Sequence, residues 1–278
     1  MTAARLIRHR IRVTSSIAVA LIVFFPVYWL LISSFKPLTE LFAHNSFLPS
    51  AKSTLEHYVT VFSNARFWGY VLNSVIVGFV STTLVILFST LGAYSLARLR
   101  FPGSETIANT VLFVYMVPPV LLAIPIYMWM YRLGLLNTRA GVIFGHVARG
   151  LPYAIWMLRG FFKGLPADLE DAARIDGCSY FGVIARIILP LSGPGVVAVA
   201  TYTLILSWND YLMAFMLITK GSLQTLPVGL VSMFQGSDAL QVGSIIAGAV
   251  LSALPVIAFF YAVQRALVHG IAAGAVKG

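Results

Sequence analysis

Long runs of apolar residues dominate this chain, and that patterning restricts its fold more than any other feature. A helix needs about 20 predominantly apolar residues to cross a bilayer. Six stretches qualify, at about 14–34, 70–96, 107–131, 139–160, 195–218 and 243–265. Only 10% of the residues are charged and 59% are hydrophobic, whereas a soluble domain carries about a quarter charged. Lipid offers backbone groups no hydrogen bonds, so spanning segments of this kind satisfy them internally as helices. The expected fold is all-α, a polytopic membrane protein with six transmembrane helices. No internal repeat, low-complexity tract or Pro/Gly/Ser linker divides residues 1–278, so one transmembrane domain is expected.

Lysine and arginine in the flanking loops set the orientation. With the N-terminus inside, the inner segments hold twelve basic residues (among them Arg5, Arg8, Arg98, Arg159, Lys163, Arg174 and Arg265) and the outer segments six. That asymmetry predicts N-in and C-in. The net charge of +10 is spread between apolar blocks rather than gathered on one face, which argues against nucleic acid as a partner. The apolar run at Ile17–Ile32 is longer than that of a signal peptide and no small-x-small cleavage site follows it, so it reads as an uncleaved first span. Cys178 is the single cysteine, which excludes an internal disulfide or a CxxC metal site.

Local features refine the spans. Pro118, Pro119 and Pro125 remove backbone donors within the third and should bend it. Phe67, Trp68 and Tyr70 close the first outer loop, about 36–68, as an interfacial aromatic belt would. A second long outer loop covers about 219–242. Ser244, Gly248 and Ser252 recur at four-residue spacing, a pattern that lets helices approach closely.

The inner loop between spans four and five, about 159–193, has the grammar of two short helices. Pro166 suits a first turn, and Asp168, Glu170 and Asp171 place negative charge at the positive end of the helix dipole. Leu165, Leu169 and Ala173 fall on one face at four-residue spacing. Gly177 can adopt the left-handed conformation that stops a helix. Tyr180, Ile184 and Ile188 begin a second amphipathic segment. The first helix reads as a rigid knob. Ala172 and Ala173 keep one side flat for a partner backbone, and Glu170 and Asp171 offer carboxylates to a basic groove. Its acidic face argues against an interfacial helix lying on anionic lipid.

Glu170-Asp171-Ala172-Ala173, with Gly177 and Leu189-Pro190 beyond, resembles the EAA–G–LP loop of binding-protein-dependent ABC importer permeases. The second position is Asp where the pattern has Ala. FPVYWLLISSFKP at 25–37, LNSVIVG at 72–78, LPYAIWMLRGFF at 151–162, SWNDYLMAF at 207–215, TLPVGL at 225–230 and AAGAVKG at 272–278 are similar to the maltose-type carbohydrate branch. Their order and spacing carry the resemblance over nearly the whole chain. It implies a permease subunit of the bacterial inner membrane that pairs with a second, homologous permease. Two copies of a separate ABC ATPase would use ATP and Mg, and an extracytoplasmic solute-binding protein would deliver a carbohydrate. This chain itself would bind no cofactor. Glu170, Asp171, Ala172, Ala173 and Gly177 would be the ATPase-coupling residues, and the tail Ala272–Gly278 would reach towards the ATPase pair.

Ionisable groups within a membrane are functional candidates. His146 and Arg149 lie one helical turn apart in the fourth stretch, and Asn209 and Asp210 stand near the outer end of the fifth. These four are the expected residues of a substrate pathway, or of an interface with the partner permease. The chain lacks a GxxxxGKS/T loop, so energy must come from another chain. An ion-coupled secondary transporter would more usually show inverted repeats and several intramembrane carboxylates. A membrane enzyme would need a clustered acid, base or metal set, and neither HExxH nor paired carboxylates occur. The cargo stays open between di- or oligosaccharides and glycerol-phosphate-type solutes.

Overall fold

The computed structural model describes residues 3–42, 47–99, 101–234 and 242–275. Among these every regular element is a helix, with no strand. The principal helices are α1 (Ala3–Ser33), α2 (Glu56–Ser63), α3 (Phe67–Arg98), α4 (Ser104–Met116), α5 (Pro119–Arg132), α6 (Arg139–Lys163), α7 (Asp168–Ile175), α8 (Tyr180–Leu191), α9 (Gly193–Trp208), α10 (Leu212–Leu217), α11 (Leu226–Phe234) and α12 (Val242–Ala275).

Three described helical segments are long and apolar enough to cross a membrane, namely Arg12–Ser33, Phe67–Arg98 and Val242–Gln264. The third expected span is not one rod. α4 and α5 meet at 102°, because Pro118 is held extended and Pro119 restarts the helix at a first turn, where a missing N–H costs nothing. Pro125 sits inside α5 without a break. α8 and α9 meet at 83°, with Ser192 at the corner and Pro194 in the first turn of α9. The fifth expected span also breaks at 209–211, between α9 and α10. α6 continues through Pro152 and carries Arg139, Arg149, Arg159 and Lys163; this fourth expected span is not among the described segments apolar enough to cross a membrane.

The chain divides into two compact units. The first comprises Met1–Phe67 with Met233–Leu254. In it the α1–α2 connection is pinned by polar contacts: His57 Nε2 lies 2.8 Å from the Lys36 carbonyl, Ser34 Oγ 2.7 Å from the Tyr58 hydroxyl, and the Thr54 N–H donates to the Phe35 carbonyl. Ser244 and Gly248 are buried on α12, as their spacing predicts. A Cβ on Gly243 would stand 2.2 Å from the His57 ring, so only glycine permits this approach. Phe67, expected at the membrane interface, is instead buried.

The second unit comprises Trp68–Ser232 with Pro255–Gly278. One core joins Val85, Ala93 and Tyr94 of α3, Ala154, Leu158 and Phe162 of α6, Ala173 of α7, Val183, Ile184 and Ile188 of α8 and Val199 of α9. A second cluster holds Val77, Met130, Val142, Ala214, Leu217, Ile218 and Val228. Two stretches that carried the resemblance meet here. Asn73 Nδ2 donates to the carbonyls of Ser222 and Gln224, its Oδ1 accepts from Arg139, and Ser74 Oγ accepts from the Leu226 N–H. Tyr70, also expected in an aromatic belt, is 2% exposed and lies over Gly229, where a Cβ would come within 2.3 Å of its ring. Gly229→Ala should therefore destabilise the chain by about 1–3 kcal/mol through overpacking. A lowered melting temperature of the detergent-solubilised protein would register it, and an unchanged one would count against this contact.

Candidate functional site

Helix α7 is closed by its own backbone at both ends. The Ala167 carbonyl accepts from the N–H groups of Glu170 (2.9 Å) and Asp171 (3.1 Å). Pro166 precedes the Ala167 cap rather than occupying the first turn. At the other end the Cys178 N–H donates to the Ala173 carbonyl and the Gly177 N–H to that of Arg174. Gly177 has φ +86°, the left-handed C′ position of a Schellman cap, which glycine fills without a Cβ penalty.

The inward face of α7 differs from the expected one. Glu170 and Ala173, three residues apart, are buried, whereas Leu169 is 43% and Ile175 86% exposed. Leu165 lies ahead of the helix and packs against the core. With the first turn beginning at Asp168, positions 170 and 173 share a side and Leu169 is rotated about 100° from Glu170. Ala173 is therefore a core residue, and of the alanine pair only Ala172 faces outward.

Glu170 also departs from expectation, since its carboxylate is turned into its own chain. The Tyr94 hydroxyl donates to Oε2 at 3.0 Å, and Arg98 Nε stands 2.5 Å from Oε1, a charge contact without good hydrogen-bond alignment. Arg98 also donates from its NH2 group to the Leu165 carbonyl at 2.8 Å. One guanidinium at the end of α3 thus grips both the approach to α7 and its first turn. Asp171, the departure from the EAA pattern, is exposed, so its charge stays solvated there. Arg174 covers the Tyr180 ring at 4.6 Å and holds α7 against α8.

The second site lies between α6 and the α9–α10 break. Asp210 Oδ1 accepts from Arg149 NH1 at 2.8 Å, and Oδ2 accepts from the Ala214 N–H at 3.1 Å. His146 Nε2 is 3.2 Å from Oδ2, off the line of an ideal hydrogen bond, and its Nδ1 lies 2.7 Å from Ser207 Oγ. Three of the four expected pathway residues, His146, Arg149 and Asp210, are thus one cluster satisfied within the chain. Asn209 is exposed and outside it. His146 is 0% exposed, so this Ser–His–Asp sequence of contacts offers no substrate access to its hydroxyl.

Two groupings were missed from sequence. Tyr94 and Arg98 stand one turn apart at the end of α3, a local signal for a carboxylate partner. Tyr115, Tyr153 and Tyr202 come from α4, α6 and α9, and no local pattern links them. Tyr153 lies with its ring centroid 4.0 Å from that of Tyr202 and 5.4 Å from that of Tyr115. Beside them Arg149 enters a cavity of about 190 Å³ whose wall includes Val117 and Pro119, the two sides of the α4–α5 break.

Residues 86–273 match the family described as binding-protein-dependent transport system inner membrane component, and the chain belongs to that family. It is 37% identical over 261 residues to the inner membrane ABC transporter permease protein YcjP of Escherichia coli (strain K12), covering 93% of this chain and 92% of that one. It is 34% identical over 255 residues to the trehalose transport system permease protein SugB of Mycobacterium tuberculosis (strain CDC 1551 / Oshkosh), covering 91% and 92%. The fold matches a chain of a bacterial ABC transporter involved in the import of the acidic polysaccharide alginate, with a TM-score of 0.82, 21% identity and coverage of 95% and 98%. The resemblance read from the EAA loop is borne out, and the relatives are transport permeases, not enzymes.

Proposed function

We propose that this chain is the permease subunit of an ABC importer that carries a carbohydrate into the cytoplasm, most simply a di- or oligosaccharide. It spans the inner membrane six times with both termini inside, as one transmembrane domain. A second, homologous permease completes the pathway, two copies of a separate ATPase dock beneath it with ATP and Mg, and an extracytoplasmic binding protein loads it. The carbohydrate reading is supported by the name of a relative, the trehalose permease SugB. The tail expected to reach the ATPases continues α12 to Ala275, and residues 276–278 lie outside the described ones.

The observation that carries the mechanism is the shared core of α7, α3 and α6. Force applied to the exposed Leu169, Asp171, Ala172 and Ile175 face reaches Ala173, Tyr94 and Phe162 without passing through a flexible loop. Closure of the ATPases then tilts the helices attached to α7 and switches the access of the pathway.

A cysteine-accessibility experiment tests this. In a Cys178→Ser background, Asp171→Cys should react with a membrane-impermeant maleimide only in inverted vesicles, and Lys52→Cys only in right-side-out ones. Modification at position 171 should stop ATP-driven carbohydrate uptake. Labelling of position 171 from the outer medium would put α7 on the wrong side and reject the reading.

A further inference from the structure

We infer that Arg149, Tyr115 and Tyr202, with Tyr153 packed against both tyrosines, form a contact site on this chain for one ring of an uncharged saccharide. The inference rests on the carbohydrate-importer reading and narrows its substrate class.

Position is the first argument. In the six-span reading α6 enters the membrane at its start, and Arg149, ten residues on, lies about 15 Å along the axis at 1.5 Å per residue, half of a hydrocarbon core about 30 Å thick. Its side chain is 25% exposed. A guanidinium at that depth faces protein or a water-filled cavity, because lipid contact is costly. The same place is bordered by two helix breaks. The α4–α5 corner contributes Val117 and Pro119 to the cavity, and Asp210 at the α9–α10 break holds Arg149 from behind its wall. Interrupted helices at membrane depth belong where backbone lines a cavity or is covered by protein.

Charge is the second argument. Asp210 balances Arg149, and its two oxygens are taken up by Arg149, His146 and the Ala214 N–H. A carboxylate only accepts, so His146 Nε2 turns a proton towards Oδ2. The Arg149–Asp210 pair by itself carries no net charge. An anionic cargo would find no uncompensated cation, whereas the remaining guanidinium N–H groups still donate to hydroxyls. Phosphate-bearing cargo, which a lone arginine would suit, is disfavoured for the same reason.

Shape is the third. The three tyrosine rings converge on one place with Trp156 a further 6.5 Å from Tyr153. Tyr115 and Tyr202 line the cavity together with Arg149, and such amphipathic rings offer a sugar apolar surface beside a hydroxyl. The cavity, about 190 Å³, is below the roughly 300–1,000 Å³ of complete small-molecule sites. It takes a single ring, and the rest of the saccharide meets the partner permease.

The test uses the assembled transporter with its binding protein in proteoliposomes. Its probes are labelled trehalose and maltose carrying a diazirine, together with their C6-carboxylated analogues. An imported neutral probe should photolabel peptides containing Tyr153 or Tyr202, and the carboxylated analogue should not. Tyr202→Ala should slow neutral uptake about tenfold while leaving assembly and ATPase stimulation by the loaded binding protein intact, and Tyr202→Phe should restore it. If the wild type imports no saccharide, the carbohydrate reading falls and this site with it. If it imports the neutral probe but this chain is unlabelled, or Tyr202→Ala imports at the wild-type rate, or Tyr202→Phe is as slow as Tyr202→Ala, the site is rejected and the importer reading stands. Equal labelling by the carboxylated analogue overturns the selectivity for uncharged sugar.

Discussion

Asp210→Ala is expected to destabilise the permease by about 3–5 kcal/mol, because it leaves a partly buried guanidinium without its counter-charge. Arg149 has 25% side-chain exposure and Asp210 only 2%, so solvent replaces little of the lost interaction. The substitution also frees the Ala214 N–H, which Asp210 holds as the first turn of α10 begins, and the break between α9 and α10 loses its anchor. Asp210→Asn should be milder, since the amide oxygen can still accept one of these bonds. Thermal unfolding of the detergent-solubilised complex measures the effect. The pair is best isolated by a double-mutant cycle: Arg149→Met should cost much less in the Asp210→Ala background than in the wild type, because the charge it removes is already stranded. Equal costs in both backgrounds would mean that Arg149 and Asp210 are not coupled.

The parts of this site that were legible in the sequence are those separated by one helical turn. His146 and Arg149 announced themselves as a polar pair in an apolar stretch, and Asp210 as a carboxylate that lipid would not tolerate. Their mutual satisfaction was not legible, since 61 residues separate Arg149 from Asp210 and only packing brings α6 to the α9–α10 break. The long helices were readable from apolar run length, whereas α2 and α11 lie in stretches read as outer loops. Helix continuity was readable only in part. Pro118 and Pro119 broke the third stretch as proline chemistry requires, but Pro152 broke nothing in α6. The break at 209–211 has no proline or glycine to signal it, and comes with a buried aspartate capping the next helix. In α7 the acidic first turn and Gly177 located the element, while its rotation was misread: four-residue spacing from Leu165 ignored that Leu165 precedes the helix. The burial of Glu170 follows from Tyr94 and Arg98, more than seventy residues earlier in the chain.

That inward carboxylate underlies the second large effect. Glu170→Lys should reduce uptake about a hundredfold or more while leaving the chain inserted in the membrane. The new ammonium would face Arg98, whose Nε stands 2.5 Å from the present carboxylate, and Tyr94 would lose its acceptor. Like charges in a site this poorly exposed push α7 from the core it shares with α3 and α6, so motion of the knob no longer reaches the membrane helices. Uptake measured against the amount of inserted protein separates this from loss of expression. If Glu170 acted only by presenting its charge to an ATPase, Arg98→Ala would be silent. If the carboxylate latches α7 to α3, Arg98→Ala should uncouple uptake in the same manner, and the exchange Glu170→Arg with Arg98→Glu should recover part of it. A silent Arg98→Ala beside a dead Glu170→Lys would therefore transfer the role of Glu170 from the internal latch to the docking surface, leaving the buried geometry without a part in coupling.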